Sequence, residues 1–161
     1  PSAMMDGQVQ AIRAALDADG FSSTLLMSYS TKFASAMYGP FREAERSSPG
    51  EGDRKGYQAS YGDLRTALRE SELDEAEGAD ILMVKPSLFY LDVLSRIREM
   101  TDLPLAAYNV SGEYSMLHAS AERGWGDLKG MVQESTAALV RAGADILISD
   151  WANQYDEFFR D

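Results

Sequence analysis

Cysteine is absent from the 161 residues of this chain, and histidine occurs only once. Disulfides and thiolate metal sites within the chain are therefore excluded. No apolar run approaches the roughly 18 residues that a membrane-spanning helix needs. The first ten residues also lack a basic region followed by an apolar core, which is the pattern of a secretory signal. From these absences we expect a cytoplasmic protein.

Positive charge is also scarce. The chain has 15 Lys and Arg residues against 26 Asp and Glu residues, which gives a net charge of −11. Nucleic acids and anionic membranes attract basic surfaces, so we expect neither of them as a partner. A small anionic substrate is still compatible with this charge, because a few arginines in a pocket outweigh the mean charge locally.

Helical and strand-like segments alternate along the sequence. Apolar residues recur at helical spacing or in short runs, and glycines follow several of the helices. The pattern predicts helices over 5–18, 63–76, 90–99, 112–123, 127–141 and 151–159, and strands over 24–28, 80–84, 105–110 and 145–149. The segment 38–62 holds five glycines and two prolines, and we interpret it as a long loop, a class that is usually functional or disordered.

Two segments, "EGADILMVK" (77–85) and "RAGADILISD" (141–150), share one pattern. Each ends a helix on glycine and continues through Ala-Asp into an apolar strand, which indicates a recurring βα unit. The alternation predicts an α/β fold with a parallel sheet. We expect a single domain over 1–161 of parallel (βα) units of TIM-barrel type, with about four strands, like half of a (β/α)8 barrel. Catalytic residues in such barrels lie at the C-terminal ends of the strands.

Single lysines, Lys32 and Lys85, come just after two of the predicted strands. A surface lysine at the start of a loop is the ordinary interpretation of each. However, Lys85 follows "ILMV" with no polar spacer, so its stem begins among apolar side chains. Burial and a second ammonium nearby would both lower its pKa and free the amine to attack a ketone and form a Schiff base.

Two arginines in the long segment, Arg42 and Arg54, suit a carboxylate, because a guanidinium can donate two parallel hydrogen bonds. Each alone is better explained as a solvated charge. Lysines at strand ends combined with arginines on a loop indicate a site for a keto acid.

Four of the motifs, "SYSTKFASAMYGPFREA", "GDRKGYQ", "EGADILMVKP" and "AAYNVSGEYSML", resemble the signature segments of the porphobilinogen synthase (5-aminolevulinate dehydratase) family. The similarity runs in the same order over nearly the whole chain. It implies condensation of two 5-aminolevulinate molecules to porphobilinogen with loss of two waters, on the tetrapyrrole pathway.

The resemblance also implies roles for individual residues. Lys85 corresponds to the main Schiff-base lysine and Lys32 to the second lysine. Arg42 and Arg54 correspond to arginines of an active-site lid at about 38–62, which bind the carboxylate of the second substrate. Gln58 lies on the same lid.

Two further positions of the chain match residues of the family that bind the first substrate or a metal. Ser111 corresponds to a hydroxyl that binds the carboxylate of the first substrate. Glu70 corresponds to a ligand of an outer, activating Mg²⁺, although a solvated helix carboxylate explains it equally well. The family's active-site metal segment belongs to the other half of its barrel, so we expect no such site on this chain.

The chain departs from the family in its length and at Asp150. The family has a complete barrel, so we expect this half to associate with an N-terminal half or to form a homo-oligomer. A tyrosine that binds the first substrate's carboxylate is typical where Asp150 stands. Two alternatives therefore remain open: a catalytically impaired homologue that acts as a binding or regulatory partner, and another Schiff-base lyase of the class I aldolase type.

Overall fold

A sheet of parallel strands runs through the molecule. The computed structural model describes residues 1–44 and 56–160, and within them the sheet has four strands in the order β1-β2-β3-β4. All of the pairings between neighbours are parallel. The strands are β1 (Met27–Lys32), β2 (Ile81–Lys85), β3 (Leu105–Asn109) and β4 (Ile146–Ser149). The predicted α/β class and the sequential parallel sheet are confirmed.

Helices connect the strands, as parallel pairing requires. They are α1 (Gln8–Ala18), α2 (Gly39–Ala44), α3 (Leu64–Ala76), α4 (Leu91–Met100), α5 (Ser111–Glu122), α6 (Leu128–Arg141) and α7 (Tyr155–Phe159). Short 3₁₀ helices cover Ala36–Tyr38 and Asp150–Gln154. In the described part of the chain, no helix is long and apolar enough to cross a membrane.

The first strand was predicted too early in the sequence. It begins at Met27 rather than at residue 24, and Leu25 in the predicted strand is 68% exposed. The true strand is polar but buried, and α3 satisfies part of that polarity. The hydroxyl of Thr31 donates to the carbonyl of Ala67 at 2.8 Å and lies 2.9 Å from the hydroxyl of Ser71. Because β1 extends to Lys32, this lysine is the last residue of the strand and not the first residue of the loop.

The long loop predicted over 38–62 is also partly wrong. Tyr38 lies in a 3₁₀ helix, and Gly39–Ala44 forms helix α2. Residues 45–55, including Arg54, lie outside the described residues. The chain returns to β1 after them, because the N–H of Ala59 donates to the carbonyl of Lys32 at 2.9 Å.

The sheet has two chemically different faces. Leu82 and Val84 on β2 pack with Leu94 and Ile97 of α4 in the main hydrophobic core, and all four are at most 1% exposed. Burial of such side chains contributes about 1.5–3 kcal/mol each relative to exposure. Because side chains alternate along a strand, Lys85 points to the opposite face.

We call this opposite face the lysine face and define it by Met83, Lys85, Ala106 and Tyr108. Ala106 and Tyr108 belong to it because Leu105 and Ala107, with which they alternate on β3, are in the hydrophobic core of the helix-covered face. Lys85 is thereby held on a surface that is separate from the main core, and so is Lys32, its register partner on β1.

Helix α5 approaches the 3₁₀ helix 36–38 so closely that only glycine fits at the contact. A Cβ built on Gly112 would lie 2.1 Å from the carbonyl oxygen of Met37, which is backbone and cannot rotate away. We predict that Gly112→Ala lowers the free energy of unfolding by about 1–3 kcal/mol, because the two segments must separate. Urea denaturation monitored by circular dichroism measures this change.

Gly62→Ala is the matched control, because Gly62 is exposed, its φ is not positive, and a Cβ there would meet only the hydroxyl of Ser60 at 3.9 Å, an ordinary contact. We expect that variant to be as stable as the parent or slightly more stable, since alanine restricts the unfolded chain more than glycine does. Equal losses in both variants would contradict the close-approach explanation.

Candidate functional site

Lys32 and Lys85 lie side by side at the C-terminal ends of neighbouring strands. They are register partners in the β1–β2 ladder, and each is the last residue of its strand. Beyond them, the N–H of Phe33 donates to the carbonyl of Lys85 at 2.8 Å. The sequence interpretation that these two lysines are neighbours at strand ends agrees with this geometry.

Aromatic rings surround the two amines. The Nζ atoms of Lys32 and Lys85 lie 5.4 and 5.0 Å from the ring centroid of Tyr29. The Nζ of Lys85 is also 3.8 Å from the ring centroid of Tyr108 and 5.8 Å from that of Tyr38. Tyr38 additionally donates its hydroxyl to the carbonyl of Lys85 at 3.2 Å. The lysines are therefore held in an aromatic frame rather than in open solvent.

The lysines open onto a pocket of about 280 Å³. Its lining residues are Ser2, Tyr29, Lys32, Tyr38, Phe41, Arg42 and Lys85. The Nη2 of Arg42 donates to the carbonyl of Ser35 at 3.5 Å, while its Nε is buried without a hydrogen-bond partner in the described ranges. One nitrogen of this guanidinium therefore keeps a hydrogen-bond donor that no described residue uses, in a residue that lines the pocket.

The electrostatic setting lowers the pKa of Lys85. Burial is the larger cause and the positive charge of Lys32 is the second, and together they bring the pKa from 10.5 to about 8. At pH 7 such a pKa leaves roughly one amine in ten neutral, compared with about one in three thousand for an ordinary lysine. Lys32 donates to the carbonyl of Ser2 at 3.1 Å, so this amine is anchored.

Ser111 is the first residue of α5, two residues beyond the end of β3. Its hydroxyl is buried and has no hydrogen-bond partner among the described residues, so it retains the capacity to bind a ligand. It does not line the pocket of the two lysines. The structure thus brings together Lys32, Lys85 and Arg42, whereas Ser111 lies outside their pocket, at the start of the helix that follows β3.

Gln58 lies in a different depression, which neither lysine lines. It is 5% exposed, and both atoms of its amide group lack hydrogen-bond partners in the described part of the chain. This second pocket, of about 490 Å³, is also lined by Asp6 and Glu70. The structure therefore places Gln58 beside Glu70 rather than with the lysines. Arg54, the remaining residue of the predicted site, lies among residues 45–55.

Glu70 has acidic surroundings. Its pKa is raised, first by burial and then by the negative charge of Asp6. Within residues 1–44 and 56–160, no group of three or more His, Asp or Glu side chains is placed to hold a metal ion. Mg²⁺ generally keeps several waters and takes only one or two carboxylates. Glu70 and Asp6 consequently fit a hydrated Mg²⁺, but they do not form a complete protein cage.

Sequence reasoning missed Tyr108 and Phe41 as residues beside the amine of Lys85. Both rings lie within 6.0 Å of its Nζ. For Tyr108 a signal was available, because its alternation with Ala107 on β3 assigns it to the face of Lys85. For Phe41 no signal was available, since its position depends on helix α2. The glycines and prolines of that segment predicted a loop instead of a helix.

Comparison with known proteins identifies the family to which this chain is similar. The family model described as "Delta-aminolevulinic acid dehydratase" matches residues 1–158. A delta-aminolevulinic acid dehydratase of Synechococcus elongatus is 58% identical over 149 residues, covering 92% of this chain and 46% of that protein. The Escherichia coli protein of the same name is 58% identical over 152 residues, covering 94% and 47%.

A solved structure shows the same architecture. Delta-aminolevulinic acid dehydratase (porphobilinogen synthase) of Toxoplasma gondii ME49, in complex with the reaction product porphobilinogen, superposes with a TM-score of 0.92 at 50% identity. The match covers 96% of this chain and 44% of that one. The chain thus spans about half the length of the relatives that it matches, and the resemblance read from its sequence is confirmed. It belongs to the delta-aminolevulinic acid dehydratase family.

Proposed function

We propose that this chain supplies the lysine-bearing half of a porphobilinogen synthase, which condenses two 5-aminolevulinate molecules with loss of two waters. The observation that carries the proposal is the pair formed by Lys32 and Lys85, which are register partners at strand ends beside one pocket. Two ketone substrates need two amines, and the charge of Lys32 also contributes to the lowered pKa of Lys85.

Lys85 is the nucleophile in this proposal. Its neutral amine attacks the ketone carbon of one substrate, and proton transfer from nitrogen to oxygen gives a carbinolamine. A proton taken up from solvent then lets the former ketone oxygen leave as water, and a protonated Schiff base remains. The positive nitrogen withdraws electrons, so the neighbouring carbon gives up a proton more readily and the imine carbon accepts a nucleophile more readily.

Lys32 would hold the second substrate as a Schiff base in the same way, and Arg42 would bind its carboxylate. Orienting the second substrate in this manner is worth several kcal/mol in effective concentration, on the order of what well-aligned intramolecular reactions show. Ser111, with its unpaired hydroxyl, would bind the carboxylate of the first substrate. The roles of Gln58 and Arg54 on a lid rest on the family resemblance.

A Mg²⁺ ion at Glu70 is part of the same proposal. Asp6 and Glu70 would hold the hydrated ion, which supplies positive charge beside the segment that returns to β1 at Ala59. The contacts among the residues of the lysine pocket do not involve Asp6 or Glu70.

A second candidate, a homologue that binds without catalysing, is favoured by Asp150. This residue is exposed and directly follows β4, at the position where the family typically has a tyrosine. A carboxylate there would repel the carboxylate of the first substrate instead of donating a hydrogen bond to it.

Borohydride trapping tests the proposal. We expect incubation with 5-aminolevulinate and borohydride, with the N-terminal half of the Synechococcus elongatus relative added, to give a covalent adduct on Lys85, located by peptide mass spectrometry. Lys85→Ala should lower total trapping at least tenfold, because the main nucleophile is lost. The control is Lys129→Ala, which removes an exposed lysine of α6.

The pattern of adducts distinguishes the candidates. Trapping that survives in Lys85→Ala would refute the assignment of the nucleophile. An absence of adducts with 5-aminolevulinate and with other keto acids would favour the binding homologue. An adduct formed only with a different ketone would favour an aldolase-type lyase.

The lowered pKa of Lys85 also predicts a pH-dependent stability. Its folded pKa of about 8 lies below the unfolded value, so burying the ammonium destabilises the fold fully below pH 8, and this cost fades as pH rises towards 10.5. We expect Lys85→Met to stabilise the chain by on the order of 1–2 kcal/mol at pH 7, after allowance for solvent screening, and by about half as much at pH 9.5. Denaturant midpoints at both pH values measure the difference, and Lys129→Met should show no such pH dependence.

We further propose that the chain associates, either with an N-terminal half or with a second copy. All four residues of β4 keep partial exposure, unlike the central residues of β2, which are buried. A partly open strand edge favours pairing with another strand. Light scattering should therefore give a mass above the 17.7 kDa of one chain, and a folded monomer at that mass would refute the proposal.

A further inference from the structure

Glu113 is a buried carboxylate that the proposed chemistry leaves without a role. It belongs to helix α5, two residues after Ser111, and its side chain is 0% exposed. Among residues 1–44 and 56–160, no basic side chain forms an ion pair with it. A carboxylate without a counter-ion is costly to bury, so its hydrogen bonds must account for its presence.

The two oxygens of Glu113 accept hydrogen bonds from different segments. Oε1 accepts the N–H of Leu88 at 2.7 Å, in the turn that follows β2. Oε2 accepts the N–H of Val110 at 2.8 Å and the Nδ2 of Asn109 at 3.2 Å, where β3 passes into α5. One carboxylate therefore joins the C-terminal ends of two neighbouring strands.

The connection continues to the last strand. The Oδ1 of Asn109 accepts a hydrogen bond from the hydroxyl of Ser149 at 3.1 Å, at the end of β4. Three strand ends are thus linked through charge-assisted or amide hydrogen bonds, which are directional and set the spacing of the groups they join. We call this series of hydrogen bonds, from Leu88 through Glu113 and Asn109 to Ser149, the strand-end network.

We propose that Glu113 is a positioning residue that fixes Lys85 relative to Tyr108 and Ser111 by holding the turn after β2 against the start of α5. Leu88 is three residues beyond Lys85, and Val110 lies between Tyr108 and Ser111. The proposal rests on the function proposed above, because it gives Glu113 the role of positioning Lys85, the nucleophile of that function.

The geometry at Lys85 explains why the spacing matters. Its Nζ lies 3.8 Å from the ring centroid of Tyr108, which belongs to β3, whereas Lys85 belongs to β2. The ring contact and the burial of the amine both require the two strand ends to keep their relative height. Displacement by about 1 Å is sufficient to change the rate of a positioned reaction on the order of 100-fold.

A purely structural role is the competing explanation. A glutamate at the third position of a helix often accepts the N–H of the residue that precedes the helix, and such a cap stabilises the helix alone. The bond from Leu88 is what distinguishes the two explanations, because it leaves α5 and reaches the segment that carries Lys85.

The variant Glu113→Gln tests the proposal. Glutamine has nearly the same shape, but its NH₂ group cannot accept the N–H of a backbone donor, so either the Leu88 bond or the Val110 and Asn109 bonds are lost. Competitive labelling with trace acetic anhydride, followed by peptide mass spectrometry, measures the reactivity of Lys85 as a function of pH without any substrate. We expect the apparent pKa of Lys85 to rise by about one unit, which lowers the neutral amine fraction and the labelling at pH 7 roughly tenfold.

Glu122→Gln is the matched control, because Glu122 is an exposed glutamate at the end of the same helix. We expect it to keep the labelling profile of the parent chain. A parent-like profile for Lys85 in folded Glu113→Gln would overturn the proposal, even if that variant were less stable, since a cap alone predicts only the loss of stability.

Hydrogen exchange in the unaltered chain gives a second measurement that does not depend on the folding of a variant. The amide of Leu88 lies in a turn, yet we expect it to exchange at least tenfold more slowly than an open turn amide, because Glu113 accepts its N–H. Exchange at the open-turn rate would overturn the proposal. Since neither measurement uses 5-aminolevulinate, a failure of the proposed function would show in borohydride trapping and leave the test of Glu113 intact.

Discussion

The in-register pairing of β1 with β2 is the constraint on which the site depends. It sets Lys32 opposite Lys85, and the ladder continues past both lysines through the bond from the N–H of Phe33 to the carbonyl of Lys85. The carbonyl of Lys32 in turn accepts the N–H of Ala59, which fixes where the chain re-enters after residues 45–55. A slip of one residue would send a lysine to the opposite face of the sheet and into the apolar core.

This pairing brings two ammonium groups together in a chain whose net charge is −11. The ring faces of Tyr29 and Tyr108 favour the charged form of Lys85, whereas burial and the charge of Lys32 favour the neutral form. Burial and the charge of Lys32 account for the lowered pKa of Lys85. The aromatic frame therefore holds the amine in place without keeping it fully protonated.

Hydrogen bonds, more than apolar contacts, set the relative heights of the strand ends. β1 is anchored to α3 through Thr31 and Ser71, and the ends of the later strands are joined through Glu113 and Asn109. Such bonds are short-ranged and directional, so they specify position where a hydrophobic contact would tolerate sliding. Groups near a reacting amine must be placed most accurately, because small displacements change the reaction rate.

The sequence by itself determined the alternation of helices and strands, the parallel α/β class, and the candidate nucleophiles, because periodicity and the residues beside Lys85 are local properties. It did not determine that β1 is the polar segment ending at Lys32, since the buried hydroxyl of Thr31 is satisfied by α3, about 40 residues away. It also could not show that Gln58 lies with Glu70, that Tyr108 lies over the amine of Lys85, or that Glu113 joins two strand ends. Those facts were decided by the tertiary structure alone, because each depends on contacts between residues far apart in the chain. Neither periodicity nor local composition gives information about such contacts.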